Sequence, residues 1–223
     1  MEPTTGLMMD RREFVRIGAC AGAITAIAFT GGCAAAETAG SDESAIETPS
    51  FTFGEETGMS KRVLIGYATR TGSTTGVAEA IGRTLGERGY AVDVKPLREK
   101  PSPGGYDAVV VGSAINGAAW LPEAIGWIES NASVLRDIPT AVFCVHSMNG
   151  GTDEKQTRKR TAYLDKVRAA VTPAAEGFFL GKGPTADDTS LIARWAFKAF
   201  GGTAEGDARD WDKIRMWAEG LEL

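Results

Sequence analysis

The chain has 223 residues, of which 43% are hydrophobic and 24% are charged, a composition typical of a globular protein. Its net charge of −5 argues against nucleic acid or a bare anionic membrane as a binding partner, because phosphate groups would repel it. One histidine and no C-x-x-C pair leave histidine-rich and structural zinc sites without support. The length predicts one domain of about 150–200 residues behind an extension.

The N-terminal extension has the pattern of an export signal. Arg11 and Arg12 precede an uncharged, mostly apolar segment at residues 17–30. That segment is shorter than the roughly 20 residues that a membrane-spanning helix needs, and its length suits the core of a signal peptide. The R-R-x-F-V pattern that begins at Arg11 resembles a twin-arginine signal. We therefore expect residues 1–36 to be a twin-arginine-type signal peptide and the protein to be exported.

Two cleavage patterns follow the apolar segment and predict different fates. The Thr-Gly-Gly-Cys sequence at residues 30–33 resembles a lipoprotein cleavage box, in which Cys33 becomes the lipid-bearing first residue. That alternative anchors the protein at the outer face of the cytoplasmic membrane. The Ala-Ala-Ala sequence at residues 34–36 fits ordinary cleavage instead, which releases a secreted protein, and an uncleaved signal would itself be the anchor.

A stretch without hydrophobic periodicity separates this signal from the rest of the chain. Residues 37–60 are rich in Ser, Thr, Glu, Ala and Gly. Such a composition is typical of solvated, flexible segments. We predict a flexible linker here, which would hold a folded domain away from the membrane.

The folded domain is expected over residues 61–223, where short apolar runs alternate with helical patterns. The run Val109-Val110-Val111 is typical of a parallel strand buried on both faces. The predicted strands cover residues 62–68, 91–94, 106–113, 141–145 and 177–180. The predicted helices are centred on residues 77–85, 121–132, 163–167, 191–199 and 211–221, and a charged stretch at residues 153–160 leads into the third. This alternation predicts an α/β fold with a doubly wound, five-stranded parallel sheet in three layers.

The loop after the first predicted strand is rich in hydroxyl groups. Ligands of doubly wound sheets lie beyond the carboxyl ends of the strands, so the loops after Ala68, Ser113 and His146 are the candidate sites. Gly72 permits close backbone approach, hydroxyls donate hydrogen bonds, and N–H groups at the start of the next helix point at an anion. The P-loop and G-x-G-x-x-G patterns are absent here, which disfavours a nucleotide triphosphatase and a dinucleotide site. A cluster of helix-capping residues without a ligand is the alternative.

The T-x-T-G-x-T pattern of this loop resembles the phosphate loop of the flavodoxin family, and every fixed position matches. Residues 106–113, 120–124 and 206–217 look like the flavodoxin-domain subfamily that includes menaquinone-dependent protoporphyrinogen oxidase. The resemblance extends over residues 62–223 and implies a flavodoxin-like fold that binds FMN. The residues assigned to its phosphate are Thr69, Arg70, Thr71, Gly72, Ser73 and Thr74.

The resemblance also assigns the other two loops to the isoalloxazine ring of FMN. Trp120 would either stack on the ring or pack at the start of its helix, and His146 would either set the charge near the ring or only bond its neighbours. The positions of Asn116 and Gly117 are often aromatic in the family. The assigned residues are Ser113, Ala114, Ile115, Asn116, Gly117 and Trp120 on one side, and His146, Ser147, Met148, Asn149 and Gly150 on the other.

The expected function follows from the cofactor. FMN would supply the chemistry, and no hydrolytic triad or carboxylate pair is evident, so we assign no catalytic residue. We expect electron transfer outside the cytoplasm, with a redox partner protein or a quinone. The alternatives are a dehydrogenase resembling protoporphyrinogen oxidase, whose substrate is made inside the cell, and a flavodoxin-fold interaction module without a redox role. The basic stretch at residues 149–160 fits either contact with an anionic surface or the solvated start of a helix.

Overall fold

The computed structural model describes residues 46–54, 60–184, 191–199, 201–204 and 206–223, with only the backbone at residues 191–194. The predictions of a signal peptide at residues 1–36, of lipid attachment at Cys33 and of a linker at residues 37–45 lie outside these ranges. Within them, none of the helices combines the length and the apolar character that crossing a membrane requires.

The centre of the fold is a mainly parallel sheet. Its parallel strands are β2 (Arg62–Ala68), β3 (Ala91–Pro96), β4 (Ala108–Asn116), β6 (Thr140–His146) and β7 (Ala175–Leu180). They lie in the order β3-β2-β4-β6-β7. The chain adds β3 on one side of β2 and the later strands on the other side, so the strand order reverses between β2 and β4. Two short antiparallel strands complete it: β1 (Phe51–Phe53) pairs with β3, and β5 (Ala119–Trp120) pairs with β4. The predicted doubly wound fold with five parallel strands is confirmed, with these two strands added.

Helices cover both faces of the sheet and make three layers. They are α1 (Ser73–Glu87), α2 (Pro122–Asp137), α3 (Glu154–Thr161), α4 (Asp165–Ala170), α5 (Leu191–Ala199) and α6 (Trp211–Glu219). Helix α1 packs beside α6, and α2 packs beside α4. Two hydrophobic clusters lie between the sheet and these helix pairs.

The central strand β4 shows why its sequence forms a buried parallel strand. Val109, Val110 and Val111 have no exposed surface. Successive side chains of a strand point to opposite faces, and Val110 belongs to the cluster under α1, whereas Val109 and Val111 belong to the cluster under α2. A continuous run of β-branched residues therefore fills both cores at once.

Residues 51–53 form a strand where the sequence predicts a flexible linker, so that prediction is wrong there. Phe51 pairs with Val94 of β3, and the rings of Phe51 and Phe53 stack with centroids 6.2 Å apart. A Cβ on Gly86 of α1 would lie only 2.8 Å from the Cβ of Phe53, so the missing side chain makes room for the phenylalanine. The Phe-Thr-Phe alternation covers the edge of β3, which would otherwise expose unpaired backbone groups.

The charged stretch at residues 153–160 is itself helical, and it leads through a 3₁₀ turn at Ala162–Leu164 into α4, so the predicted lead into the third helix is confirmed. Asp153 caps α3, because its side chain accepts a hydrogen bond from the N–H of Gln156. No residue of α3 is buried, and Arg158 and Glu154 form an ion pair on its surface. Charge spacing along the exposed helix therefore replaces the apolar periodicity on which the prediction relied.

Candidate functional site

The carboxyl ends of three parallel strands bring the three predicted loops to one edge of the sheet. Ala68 of β2 pairs with Ser113 of β4, and Ala114 pairs with Val145 of β6. The loops that follow these positions therefore start side by side. They lie where the strand order reverses, which is the usual ligand position in such sheets.

The first loop leaves the start of α1 open to a ligand. Gly72 precedes the helix with φ of 81°, a left-handed conformation that favours glycine, and no side chain caps the helix. Thr69 Oγ1 accepts a hydrogen bond of 3.0 Å from the Gly72 N–H and closes the turn. The first turn of α1 has no acidic residue. The N–H groups of that turn have no partner within the helix, so they suit an anion.

A buried hydroxyl beside this turn has no partner. Thr74 has no exposed surface, and its Oγ1 makes no hydrogen bond. An unpaired buried hydroxyl costs about 1–3 kcal/mol, so it marks a place where a partner is expected. Ser73 is also buried, whereas Arg70 and Thr71 are exposed. The predicted capping alternative is not what the structure has, since none of these side chains caps α1.

The second loop is a tight hairpin. β4 runs to Asn116, three residues beyond the predicted strand, and turns back as β5 through Gly117 and Ala118, whose φ angles are 59° and 62°. Asn116, Gly117 and Ala118 are exposed at its tip. The Ser113 hydroxyl is bound within the protein: it accepts from the Leu121 N–H at 3.0 Å and donates to the Ala114 carbonyl at 2.9 Å.

Trp120 lies in the core and not at the ring loop. It is 3% exposed and belongs to the hydrophobic cluster under α2, although its Nε1 has no hydrogen-bond partner. Of the two predicted roles, packing at the start of the helix describes its position. The pairing of β5 with β4 explains this, because Trp120 lies opposite Ile115 and is turned under the helix.

The third loop, residues 146–151, is held by residues far away in the sequence. Arg160 Nη1 donates to the carbonyls of Asn149 at 2.7 Å and Gly151 at 2.9 Å. Asn149 has a positive φ of 59°, and its Nδ2 donates to the Tyr163 hydroxyl at 2.6 Å. Thr203 Oγ1 accepts from the Gly150 N–H at 2.9 Å. Arg160, Tyr163 and Thr203 are not among the predicted site residues, because only the fold brings them to this loop.

The first and third loops meet at a glycine. The Gly181 N–H donates to the His146 carbonyl at 2.9 Å, and a Cβ on Gly181 would lie 3.0 Å from Ser73 Oγ. Gly181 follows β7 directly. The missing side chain therefore lets the start of α1 approach the end of β6.

His146 is buried and neutral. It is 3% exposed, and its Nδ1 lies 2.7 Å from the Met148 carbonyl oxygen. A carbonyl only accepts, so Nδ1 carries the proton and Nε2 is a bare acceptor, for which the described part of the chain provides no donor. Burial, and to a lesser degree the Arg160 and Lys213 cations, lower the pKa of His146 from 6.5 to about 4.

A cavity of about 400 Å³ lies between the second and third loops, and we call it the ring cavity. It joins six of the predicted ring residues with Tyr163, whose ring centroid lies 5.7 Å from that of His146. The predicted residues that line it are Ile115, Gly117, His146, Ser147, Met148 and Asn149. Ser113, Ala114, Asn116, Trp120 and Gly150 do not line it, and neither does the phosphate loop.

Comparison with known proteins identifies the family of this chain. The family model described as Flavodoxin domain matches residues 64–185, more than half of the chain. Protoporphyrinogen IX dehydrogenase [quinone] of Escherichia coli strain K12 is 28% identical over 107 residues, which are 47% of this chain and 59% of that protein. The chain thus spans less than two thirds of the length of this relative.

Solved flavodoxins are similar as well. Oxidised flavodoxin 2 from Bacillus cereus has 17% identity and a TM-score of 0.46, over 71% of this chain and 95% of that one. Fusobacterium nucleatum flavodoxin bound to flavin mononucleotide has 11% identity and a TM-score of 0.45, over 71% and 95% respectively.

The chain belongs to the flavodoxin domain family, since the family model covers most of the folded region. FMN is the cofactor of that family. The site fits it: the uncapped start of α1 and the unpaired Thr74 hydroxyl suit a phosphate, and the ring cavity has the size of a cofactor pocket. His146, whose Nε2 is an acceptor without a partner among the described residues, lines that cavity.

Proposed function

Proceeding from membership of the flavodoxin domain family, we propose that this protein is an FMN-dependent electron-transfer protein that works outside the cytoplasm. One observation carries the cofactor site: an uncapped helix start with a buried, unpaired Thr74 hydroxyl adjoins a loop that lines a ring-sized cavity. FMN, when bound, supplies the redox chemistry. The chain's own residues position the cofactor and set the charge around it.

The lining of the ring cavity supports electron transfer over bond cleavage. Among the described residues that line it, the titratable side chains are those of His146, Lys159 and Tyr163, and none is a carboxylate. A pair of carboxyl groups and a nucleophile hydrogen-bonded to a base are two arrangements that hydrolases use, and neither occurs among the described residues that line this cavity. The exposed tip of the second loop leaves the cavity accessible to a redox partner protein or a quinone.

The location outside the cytoplasm is proposed from the sequence alone. The arginine pair, the uncharged segment and Cys33 fit export followed by lipid attachment at the outer face of the cytoplasmic membrane. A twin-arginine route suits a protein that folds around its cofactor before export. Mass spectrometry of the membrane fraction tests this: an N-terminal peptide starting at a lipidated Cys33 supports the anchor, and an unmodified Cys33 contradicts it.

A dehydrogenase of the protoporphyrinogen type is the second candidate. The match to the Escherichia coli enzyme favours it, although only 59% of that protein is covered. Turnover of protoporphyrinogen with a menaquinone analogue by the FMN-loaded protein would support this activity. Reduction and reoxidation of the flavin without turnover would favour electron transfer instead.

The cofactor site is tested by comparing two ligands and two variants. FMN carries the phosphate and riboflavin does not, so contacts at the start of α1 affect only FMN. Thr74→Val removes the unpaired hydroxyl, and Thr84→Val is the matched control, because Thr84 lies on the same helix and donates to the Ala80 carbonyl. A hydrogen bond to a charged group contributes about 1.5–3 kcal/mol, so Thr74→Val should weaken FMN binding at least about tenfold.

The readout is the flavin absorbance that remains after desalting, together with fluorescence titration. Riboflavin affinity should be the same in Thr74→Val and in the unmodified protein, and Thr84→Val should bind FMN normally. A folded protein that retains no flavin, or a Thr74→Val variant with undiminished FMN affinity, would remove the proposed site. The interaction module without a redox role would then be the better description.

A further inference from the structure

His146 separates two cavities. On one side is the ring cavity, and on the other lies a cavity of about 170 Å³, here called the rear cavity, at the carboxyl ends of β6 and β7. The rear cavity includes Gly150, Arg160, Asp210 and Lys213 in its wall. Of the residues that the structure describes, His146 is the one that lines both cavities.

The two nitrogens of the imidazole face different surroundings. Nδ1 is held by the carbonyl of Met148, a residue that lines the ring cavity. Ring geometry directs the lone pair of Nε2 away from that carbonyl, and Nε2 is buried with no hydrogen-bond partner. One nitrogen is thus fixed at the ring cavity, and the other is left free to accept a proton.

The charges around His146 keep it neutral at rest. Arg160 on α3 and Lys213 on α6 are cations in the rear cavity, and Asp210, which precedes α6, is the one carboxylate among the described residues of its wall. On the other side, Lys159 and the Tyr163 phenol line the ring cavity. Burial is the largest cause that lowers the pKa of His146, and the Arg160 and Lys213 cations lower it further. A negative charge gained in the ring cavity acts in the opposite direction.

We propose that His146 is the proton acceptor coupled to flavin reduction, taking at Nε2 a proton that enters from the solvent through the rear cavity. This rests on the proposed function, since it requires FMN in the ring cavity. One electron from a reduced donor protein, or from dithionite in the test, adds one negative charge in the ring cavity. One proton, carried by hydronium from the bulk solvent, forms the Nε2–H bond and leaves neutral water. The Nδ1–H stays hydrogen-bonded to the Met148 carbonyl, and oxidation reverses both transfers.

The new N–H has surroundings that accept it. The rear cavity has polar walls and enough room for water, which would accept a hydrogen bond. The imidazolium compensates the charge added to the ring cavity, which in a low-dielectric interior is worth more than in water. The rear cavity is therefore the proton entry and the ring cavity the electron entry.

The experiment uses the fact that His146 is the only histidine in the chain. The FMN-loaded protein, purified with an affinity tag that lacks histidine, shows a single imidazole Cε1–H resonance by NMR. Its titration midpoint is measured with the flavin oxidised and after reduction by dithionite. We expect the proton affinity of His146 to be at least tenfold higher in the reduced protein.

A second readout is the midpoint potential of the bound flavin as a function of pH. It is measured in the unmodified protein and in His146→Asn, whose asparagine side chain does not titrate. Between the two midpoints of His146, one coupled proton changes a one-electron potential by about 59 mV for each tenfold change in proton concentration. His146→Asn should lack this contribution. Arg160→Met should move the window to higher pH, whereas Arg158→Met, on the exposed surface of α3, should leave it in place.

The outcomes separate this proposal from the proposed function. A protein that retains no flavin refutes the proposed function and this inference with it. Bound, reducible flavin with the same His146 titration midpoint in both redox states refutes the inference alone, and so does an unchanged pH dependence of the potential in His146→Asn. The NMR measurement needs no variant, so it decides the question even if His146→Asn does not fold.

Discussion

Acid should destabilise this protein through His146. The pKa of the imidazole is 6.5 in an ordinary environment and about 4 in the folded chain, chiefly because of burial. Between these values the unfolded chain binds a proton that the folded chain does not. The free energy of unfolding therefore falls as the pH falls from 6.5 towards about 4, and it is restored above 6.5. The difference between the two pKa values corresponds to about 3 kcal/mol.

A loss of about 3 kcal/mol is a large part of the stability of a typical domain, which is about 5–15 kcal/mol. The assay is urea denaturation of the flavin-free protein at several pH values from about 7 to about 4, beside His146→Asn. The substitution will change stability at every pH, so the quantity that matters is the difference in slope. The unmodified protein should lose about 3 kcal/mol more than the variant over this range.

Other titrating groups do not produce the same signature. Hydrogen bonds from Arg209 lower the pKa of Asp207 from 3.8 to about 2, so the stability associated with that carboxylate is lost below the range in which His146 acts. The same loss in Asp207 occurs with and without His146. Equal slopes for the unmodified protein and His146→Asn would refute the reasoning, because they would show that the imidazole titrates normally in the folded chain.

Three further predictions concern packing and the third loop. Gly112→Ala should lower the free energy of unfolding in urea by about 2–3 kcal/mol, because the new Cβ would lie 2.0 Å from Phe143 Cζ. This loss should be smaller in a Phe143→Leu background, and an equal loss there would contradict the clash. Arg160→Met should weaken FMN binding about tenfold in a fluorescence titration, because it removes the hydrogen bonds to two loop carbonyls, whereas Arg158→Met should not. Equal FMN affinities of Arg160→Met and the unmodified protein would mean that the loop does not need Arg160. Phe53→Ala should lower the free energy of unfolding by about 1–2 kcal/mol, less than at a fully buried phenylalanine, because Phe53 is only partly buried. An unchanged thermal unfolding midpoint would show that β1 does not stabilise the packing of α1.

The sequence predicts those parts of the fold whose structure follows from the spacing of apolar residues within one segment. The valine run of β4 must be buried on both faces, and Val77, Ile81 and Leu85 recur at the spacing of one helix face. The phosphate loop is likewise local, because the start of α1 and its hydroxyls come from six consecutive residues. These segments carry their structure in their own pattern, so single-sequence reasoning reaches them.

The parts that escape prediction depend on distant partners. β1 has only three residues and exists because β3 offers an open edge and Gly86 offers space. Arg160 and Thr203 meet the third loop only after α3 and the segment before α6 are in place. The sequence leaves two roles for Trp120, stacking on the ring or packing at the start of its helix, because its sequence context is the same in both cases. The β4–β5 pairing decides its position.

The second loop changes how this flavin site must work. Positions 116 and 117, often aromatic in the family, are Asn116 and Gly117 here and form an exposed hairpin tip, and Trp120 is buried behind them. The protein therefore places no aromatic side chain from this loop against the ring cavity. Charged groups near the ring cavity would then set the midpoint potential of the flavin. These groups are mostly cationic: Lys159 lines the ring cavity and Arg160 lines the rear cavity. Positive charge favours the electron-rich state of a neighbouring group, so this arrangement should raise the midpoint potential relative to a site that relies on aromatic stacking.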